Sequence, residues 1–189
     1  MGMVTASKST RWTADMVRAL PDDGNRYEVI DGELFVTPAP TWEHQAAARN
    51  LFRRLDGYLV GHAIGEAILA SADVEFAADR MVEPDLFVVP LVAGRIPRTW
   101  EEVGRLLLAV EVLSPRTGRA EQQVKRRLYQ RQGVPEYWIV DVDARLIERW
   151  RPSDERPEIL AERLVWQPDP AKPTLEIDLV AYFVDVCGE

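Results

Sequence analysis

A carboxylate stands inside the most apolar stretch of the chain. Leu106, Leu107, Leu108, Ala109, Val110, Val112 and Leu113 form a nearly continuous hydrophobic run, and Glu111 interrupts it. Such a run makes a strand covered on both faces. Burying an ionised carboxylate without a partner costs several kcal/mol. A fold that accepts this strand must therefore give Glu111 a cation, a proton or an opening to solvent. Alternation along a strand puts Glu111 on the face of Ala109 and Leu113. The bland alternative is a carboxylate at the strand's end, paired with an arginine such as Arg116.

The rest of the chain reads as alternating helices and strands around that run, an α/β order. Residues 1–10 are polar and expected to be a loose end, and residues 11–189 to form a single domain. Thr13 is placed to cap a short helix over 14–20. RYEVI, Asp31-Gly32 and ELFVT spell a hairpin, because Asp-Gly tolerates the positive φ angles of a two-residue turn. Thr41 caps a helix from Trp42 to about Val60, with Ala48, Leu51, Phe52, Leu55, Tyr58 and Leu59 on one stripe and Gly61 as its stop. One strand is expected over 66–76 and another in EPDLFVVP. A basic helix runs from about Arg119 to Gln132, and PEYWIVDV with RLIERWRP forms a second hairpin. The tail holds one or two short strands and a last turn near 178–183.

Charge and composition exclude several classes. The 189 residues include 23 Lys+Arg against 31 Asp+Glu, a formal charge of −8, which opposes indiscriminate binding to nucleic acid or anionic membrane. No apolar run approaches the ~20 residues that span a bilayer. The single cysteine, Cys187, rules out an internal disulfide, and with no N-terminal apolar segment it points to the cytoplasm. Yet between Pro115 and Arg131 six basic residues meet one acid, a net charge of +5 on a background of −13. Arg116, Arg119, Arg126 and Arg127 in that segment suit phosphate contact, though a solvated helix often carries the same residues. The six tryptophans are scattered and mark no base-stacking platform.

Asp85 follows Pro84 at the entry to LFVV, on the face of Phe87 and Val89. Two hard oxygen ligands from adjacent strands are what Mg²⁺ or Mn²⁺ accepts, with water and phosphate completing the shell. Lys125, on the basic helix, could neutralise charge developing on a metal-bound phosphate; the competing reading is a solvated i,i+4 pair with Glu121. His44 falls on the inward stripe of its helix. Glu28 shares a strand face with Arg26 and Ile30, where a hairpin ion pair is the plain reading.

RYEVIDGELFVTPAP, His44 opening a helix, EPDLFVV, LLLAVEVLSP and Lys-x3-Tyr leading to GVPEYWIVD, in that order, resemble the Uma-two family of the PD-(D/E)XK nuclease superfamily. The match runs from about Arg26 to Asp141. It implies a restriction-endonuclease-like fold, a central mixed sheet flanked by helices, with Asp85 and Glu111 presented to a divalent metal. The superfamily lysine would stand two residues after the glutamate, where this chain has Leu113; Lys125 matches a variant in which the basic residue has moved to the following helix. Glu28 and His44 match positions the family commonly fills with those residues.

The expected activity is hydrolysis of DNA phosphodiester bonds with Mg²⁺ or Mn²⁺. Asp85 and Glu111 would hold the metal, Lys125 would stabilise the transition state, and His44 and Glu28 would support the site. A homodimer is the assembly implied by the superfamily, where paired sites cut both strands. The alternatives are a nuclease-fold module that binds nucleic acid or a protein without turnover, and a carboxylate-pair hydrolase acting on sugars without metal.

Overall fold

The structure is a computed structural model that describes residues 10–113 and 119–188. In chain order the elements are α1 (Ala14–Arg18), β1 (Arg26–Ile30), β2 (Glu33–Thr37), α2 (Trp42–His62), β3 (Gly65–Leu69), β4 (Val74–Ala77), β5 (Arg80–Val82), β6 (Leu86–Pro90), α3 (Trp100–Val103), β7 (Leu108–Val112), α4 (Arg119–Arg131), β8 (Tyr137–Asp141), β9 (Leu146–Trp150), β10 (Glu158–Leu160), β11 (Arg163–Trp166), β12 (Leu175–Asp178) and α5 (Leu179–Cys187). The expected loose end falls, apart from residue 10, outside the described residues.

The central sheet is mixed, in the order β10-β9-β8-β7-β6-β3. Strands β7 and β8 run parallel and are joined through α4, as a parallel pair requires a crossover connection. Every residue of β7 is buried, so the apolar run reads correctly as a strand covered on both faces. Side chains at Leu108, Val110, Val112, Trp138, Val140, Leu86 and Val88 enter one core with α2, α5 and the β11–β12 pair. The alternate set, Ala109, Phe87, Val89, Tyr137 and Ile139, enters a second core with α4 and Ile30 of β1. Opposite that second face lies a smaller antiparallel sheet, β2-β1-β5-β4, whose other side packs on α1 through Val29 and Met81.

Local chemistry explains most boundaries. Asp31 and Gly32 both take positive φ, at 55° and 85°, and the β1–β2 hairpin closes in full register from Arg26↔Thr37 to Ile30↔Glu33. The Thr41 side chain accepts the His44 N–H at 3.3 Å, starting α2 and placing His44 in its first turn. Gly61 does not stop this helix, which runs on to His62 and ends on Ala63 in a left-handed conformation. An exposed helical glycine costs only ~1 kcal/mol relative to alanine, and burial of Leu59 and Ile64 outweighs it.

Three further boundaries differ from expectation. The strand expected over 66–76 is two strands, β3 and β4, in different sheets, because Ala70, Ser71, Ala72 and Asp73 break the alternation. Strand β5, three residues long, is too short to show a period. The tail makes three strands and a nine-residue helix capped by the Asp178 side chain.

Gly65 sits where a Cβ would collide with the backbone carbonyl of Val89 on the paired strand, whereas a Cβ at Gly57, inside α2, meets open space. Gly65→Ala should lower unfolding free energy by roughly 1–3 kcal/mol, the size of an overpacking defect. Gly57→Ala should raise it by about 0.5–1 kcal/mol. Urea denaturation of the two variants checks both signs.

Candidate active site

Strands β6 and β7 pair antiparallel with Leu86 opposite Val110 and Phe87 opposite Ala109. Continuing that register by one residue sets Asp85 opposite Glu111, and the Val112 N–H donates to Asp85 Oδ2 at 2.8 Å. Both acids are almost fully buried. They open on a small cleft of about 20 Å³ that is also lined by Arg26, Thr37, Pro38, Pro40, His44, Val112, Glu121 and Lys125. A space of that size admits about one water molecule or a bare cation.

Four elements converge on the pair. From α4, the Lys125 ammonium lies 2.6 Å from Glu28 Oε2 of β1 and 3.1 Å from Glu111 Oε1 of β7. Tyr129, one helical turn later, donates its hydroxyl to the same Glu111 oxygen at 3.3 Å. The Lys125–Tyr129 spacing therefore serves one purpose: i and i+4 share a helix face. Glu28 is anchored by the Glu83 N–H at 2.7 Å. From α2, His44 Nε2 lies 2.9 Å from Asp85 Oδ2. From β1, Arg26 donates to Asp85 Oδ1 at 2.8 Å and lies 3.6 Å from Glu83.

The electrostatics are lopsided. Asp85, Glu111, Glu28 and Glu121 surround two permanent cations, Arg26 and Lys125, so four carboxyl groups share two fixed positive charges. Burial pushes the Glu111 carboxyl up to about 8; Lys125 opposes this, while Asp85 and Glu28 add to it. Burial acts the same way on Asp85, but the His44 hydrogen bond and charge, Arg26 and the Val112 N–H outweigh it and hold Asp85 down at about 2. For Lys125, burial disfavours the charge but Glu111 and Glu28 more than restore it, so its pKa is raised. One acid of the pair is thus a committed anion and its neighbour a carboxyl that holds its proton near neutrality, the divergence expected where like charges share a buried site.

All five residues singled out from the sequence meet here: Asp85, Glu111, Lys125, His44 and Glu28. Two plain readings fail. Lys125 is not a solvated partner of Glu121, since it is 3% exposed and its nearer partners are Glu28 and Glu111. Glu28 joins no ion pair within its own hairpin; it reaches the helix. The arginine named for Glu111, Arg116, lies outside the described residues, as does most of the segment before α4. Arg119 opens α4. Arg126 stacks over the Trp150 ring at 4.5 Å, and Arg127 is exposed on a separate concavity with Ile30, Asp31 and Glu33. The inward turn of Lys125 and the pairing of Arg131 with Asp31 at 2.6 Å leave the basic helix less positive towards solvent than its composition implies. Arg26 was missed as a site residue. Its signal was present, since it shares a strand face with Glu28, but only the packing of β1 against β6 brings it to Asp85.

Because the folded pKa of Glu111 lies above its ordinary 4.5, the folded state binds the extra proton between about 4.5 and 8. Stability in EDTA should therefore fall as pH rises through that window. Asp85 acts oppositely and only below about 4, where acid removes its contribution. Thermal melts between pH 5 and 8 should show a decline worth roughly 2–4 kcal/mol for the wild type, and Glu111→Gln should flatten it. An unchanged slope in the variant refutes the assignment.

Comparison with known proteins agrees with this architecture. A solved structure from Anabaena variabilis ATCC 29413, described as "a putative nuclease belonging to DUF820", superposes with a TM-score of 0.73 at 22% identity, over 92% of this chain and 98% of that one. At that identity the likeness shows the fold. No curated protein matches the chain. The model of the Uma2 (Uma-two) family, described as "Putative restriction endonuclease", matches residues 14–180. That span covers Glu28, His44, Asp85, Glu111 and Lys125 and all but the ends of the fold, and the chain belongs to this nuclease family.

Proposed function

We propose that this chain is a Mg²⁺- or Mn²⁺-dependent endonuclease that hydrolyses phosphodiester bonds in DNA. The observation that carries the reading is the juxtaposition of Asp85 and Glu111: two buried acids side by side, in a cluster where four carboxyl groups share two permanent cations and leave a place for further positive charge. A divalent cation supplies that charge. The donor set fits one. Glu111 Oε1 is engaged by Lys125 and Tyr129. Asp85 Oδ1 carries one donor and keeps a second lone pair. Among the described residues no group of three or more His, Cys, Asp or Glu is placed to hold a metal ion.

Asp85 and Glu111 are the residues that would hold the metal, which when bound acts as a Lewis acid and lowers the pKa of a coordinated water. The protein's own contributions follow from the contacts. Glu28 and Glu111 hold the Lys125 ammonium at the cleft wall, where its fixed charge favours a pentacovalent phosphorane over the ground-state diester. Tyr129 and Lys125 pin one Glu111 oxygen. His44 and the Val112 N–H orient Asp85. Duplex cleavage by paired sites would require two copies of the chain.

A second reading is favoured by one feature: Arg26 and Lys125 are already paired with the acids, as in a structural ion network. In that case the chain is a module that binds nucleic acid or a protein without turnover. Supercoiled plasmid with Mg²⁺ or Mn²⁺ separates the two. Nicking by the wild type, abolished by EDTA and reduced at least 100-fold in Glu111→Ala and Lys125→Met, is the expected result. Equal rates in wild type and Glu111→Ala, or no nicking with either metal, remove the enzyme reading.

A further inference from the structure

The cleft is too small for a base, so any contact with one must lie outside it. On the side of α2 the chain passes from Pro38 and Pro40 to His44, all lining the cleft, and Trp42 lies between them. Two residues span at most ~7 Å, which keeps the Trp42 backbone on the cleft's rim. Its side chain is 81% exposed, the most exposed large hydrophobic among the described residues. It forms one wall of an open pocket of about 260 Å³ with Gln45, Ala46, Arg49 and Leu69. Leu69 pairs with Leu86, the residue after Asp85, so the pocket adjoins the same end of the sheet.

Two observations say what this pocket takes. No carboxylate lines it, whereas the concavity at the hairpin tip holds Asp31 and Glu33. Arg49 and Arg53 fall about 20° to either side of Trp42 around α2 at 100° per residue, and neither arginine has an acidic partner among the described residues. A flat aromatic wall, an amide at Gln45 and two guanidinium groups without acidic partners among the described residues, beside the cleft, match an unstacked nucleobase and its flanking phosphates.

We infer that Trp42 and Arg49 form a base-stacking subsite beside the cleft, so that the substrate has an unpaired base next to the scissile phosphate. This rests on the nuclease reading above and adds the substrate class: single-stranded, frayed or branched nucleic acid in preference to perfect duplex. The subsite was not visible in the sequence, where a tryptophan in the first turn of an amphipathic helix looks like core.

The test is binding of a twelve-residue oligothymidine and of a perfect duplex, measured in EDTA at low salt on the full chain, with tryptophan fluorescence as a second readout. Trp42→Ala should weaken the oligothymidine about tenfold and remove most of its fluorescence quenching. Trp42→Phe should hold affinity within about threefold, and duplex binding should change less than twofold. Arg49→Gln should lower the salt slope for the oligothymidine by about one unit. Equal losses on both nucleic acids, or no loss with Trp42→Ala, overturn the subsite while plasmid nicking leaves the nuclease reading standing. A Trp42→Ala protein that loses self-association instead of oligothymidine binding assigns this surface to a second copy of the chain and also overturns it. A wild type that neither binds nucleic acid nor nicks plasmid overturns both.

Discussion

The architecture turns on one buried ammonium. Lys125 of α4 sits between Glu28 of the small sheet and Glu111 of the central sheet, and so joins three layers at one point. Removing either acid's partner would leave a charge in a low-dielectric interior, a defect worth ~3–5 kcal/mol. The geometry is consequently over-determined: the hairpin, the crossover helix and the buried strand must all dock in register for any of the three charges to be tolerated. Arg26 and His44 do the same for Asp85 from β1 and α2.

This arrangement costs stability and leaves a chemical asymmetry. At Glu111 burial and the neighbouring acids outweigh Lys125 and raise the carboxyl, whereas at Asp85 hydrogen bonds and charge outweigh burial and lower it. Two acids on neighbouring strands with opposite proton affinities, beside a fixed cation, are a poor choice for a purely structural pair. They are a reasonable one for a place where charge arrives with a ligand.

The chain's acidity takes on a different meaning once the charges are located. The +5 segment seemed to offer a basic face, but Lys125 points inwards and Arg131 is neutralised by Asp31. Exposed positive charge without acidic partners among the described residues is found also on α2, at Arg49 and Arg53, where the sequence shows only an amphipathic helix with mixed charges. Which arginines remain available is a question of pairing in space, and composition does not contain it.

By itself the sequence determined that Glu111 lies in a strand covered on both sides, because eight consecutive positions leave no polar face. It determined the Asp31-Gly32 hairpin, since few dipeptides accept two positive φ angles, and the start of α2 at Thr41, because a hydroxyl cap is a local interaction. It also pointed to Asp85, Glu111, Lys125, His44 and Glu28, the last three separable from plain structural readings only through the ordered resemblance. Tertiary structure decided what those residues touch. That Lys125 is buried against Glu28, that Arg26 reaches Asp85 across 59 positions, and that the run over 66–76 divides between two sheets all depend on contacts between segments distant in the chain. Such contacts are chosen by packing and charge compensation among whole layers, and no local pattern of residues encodes them.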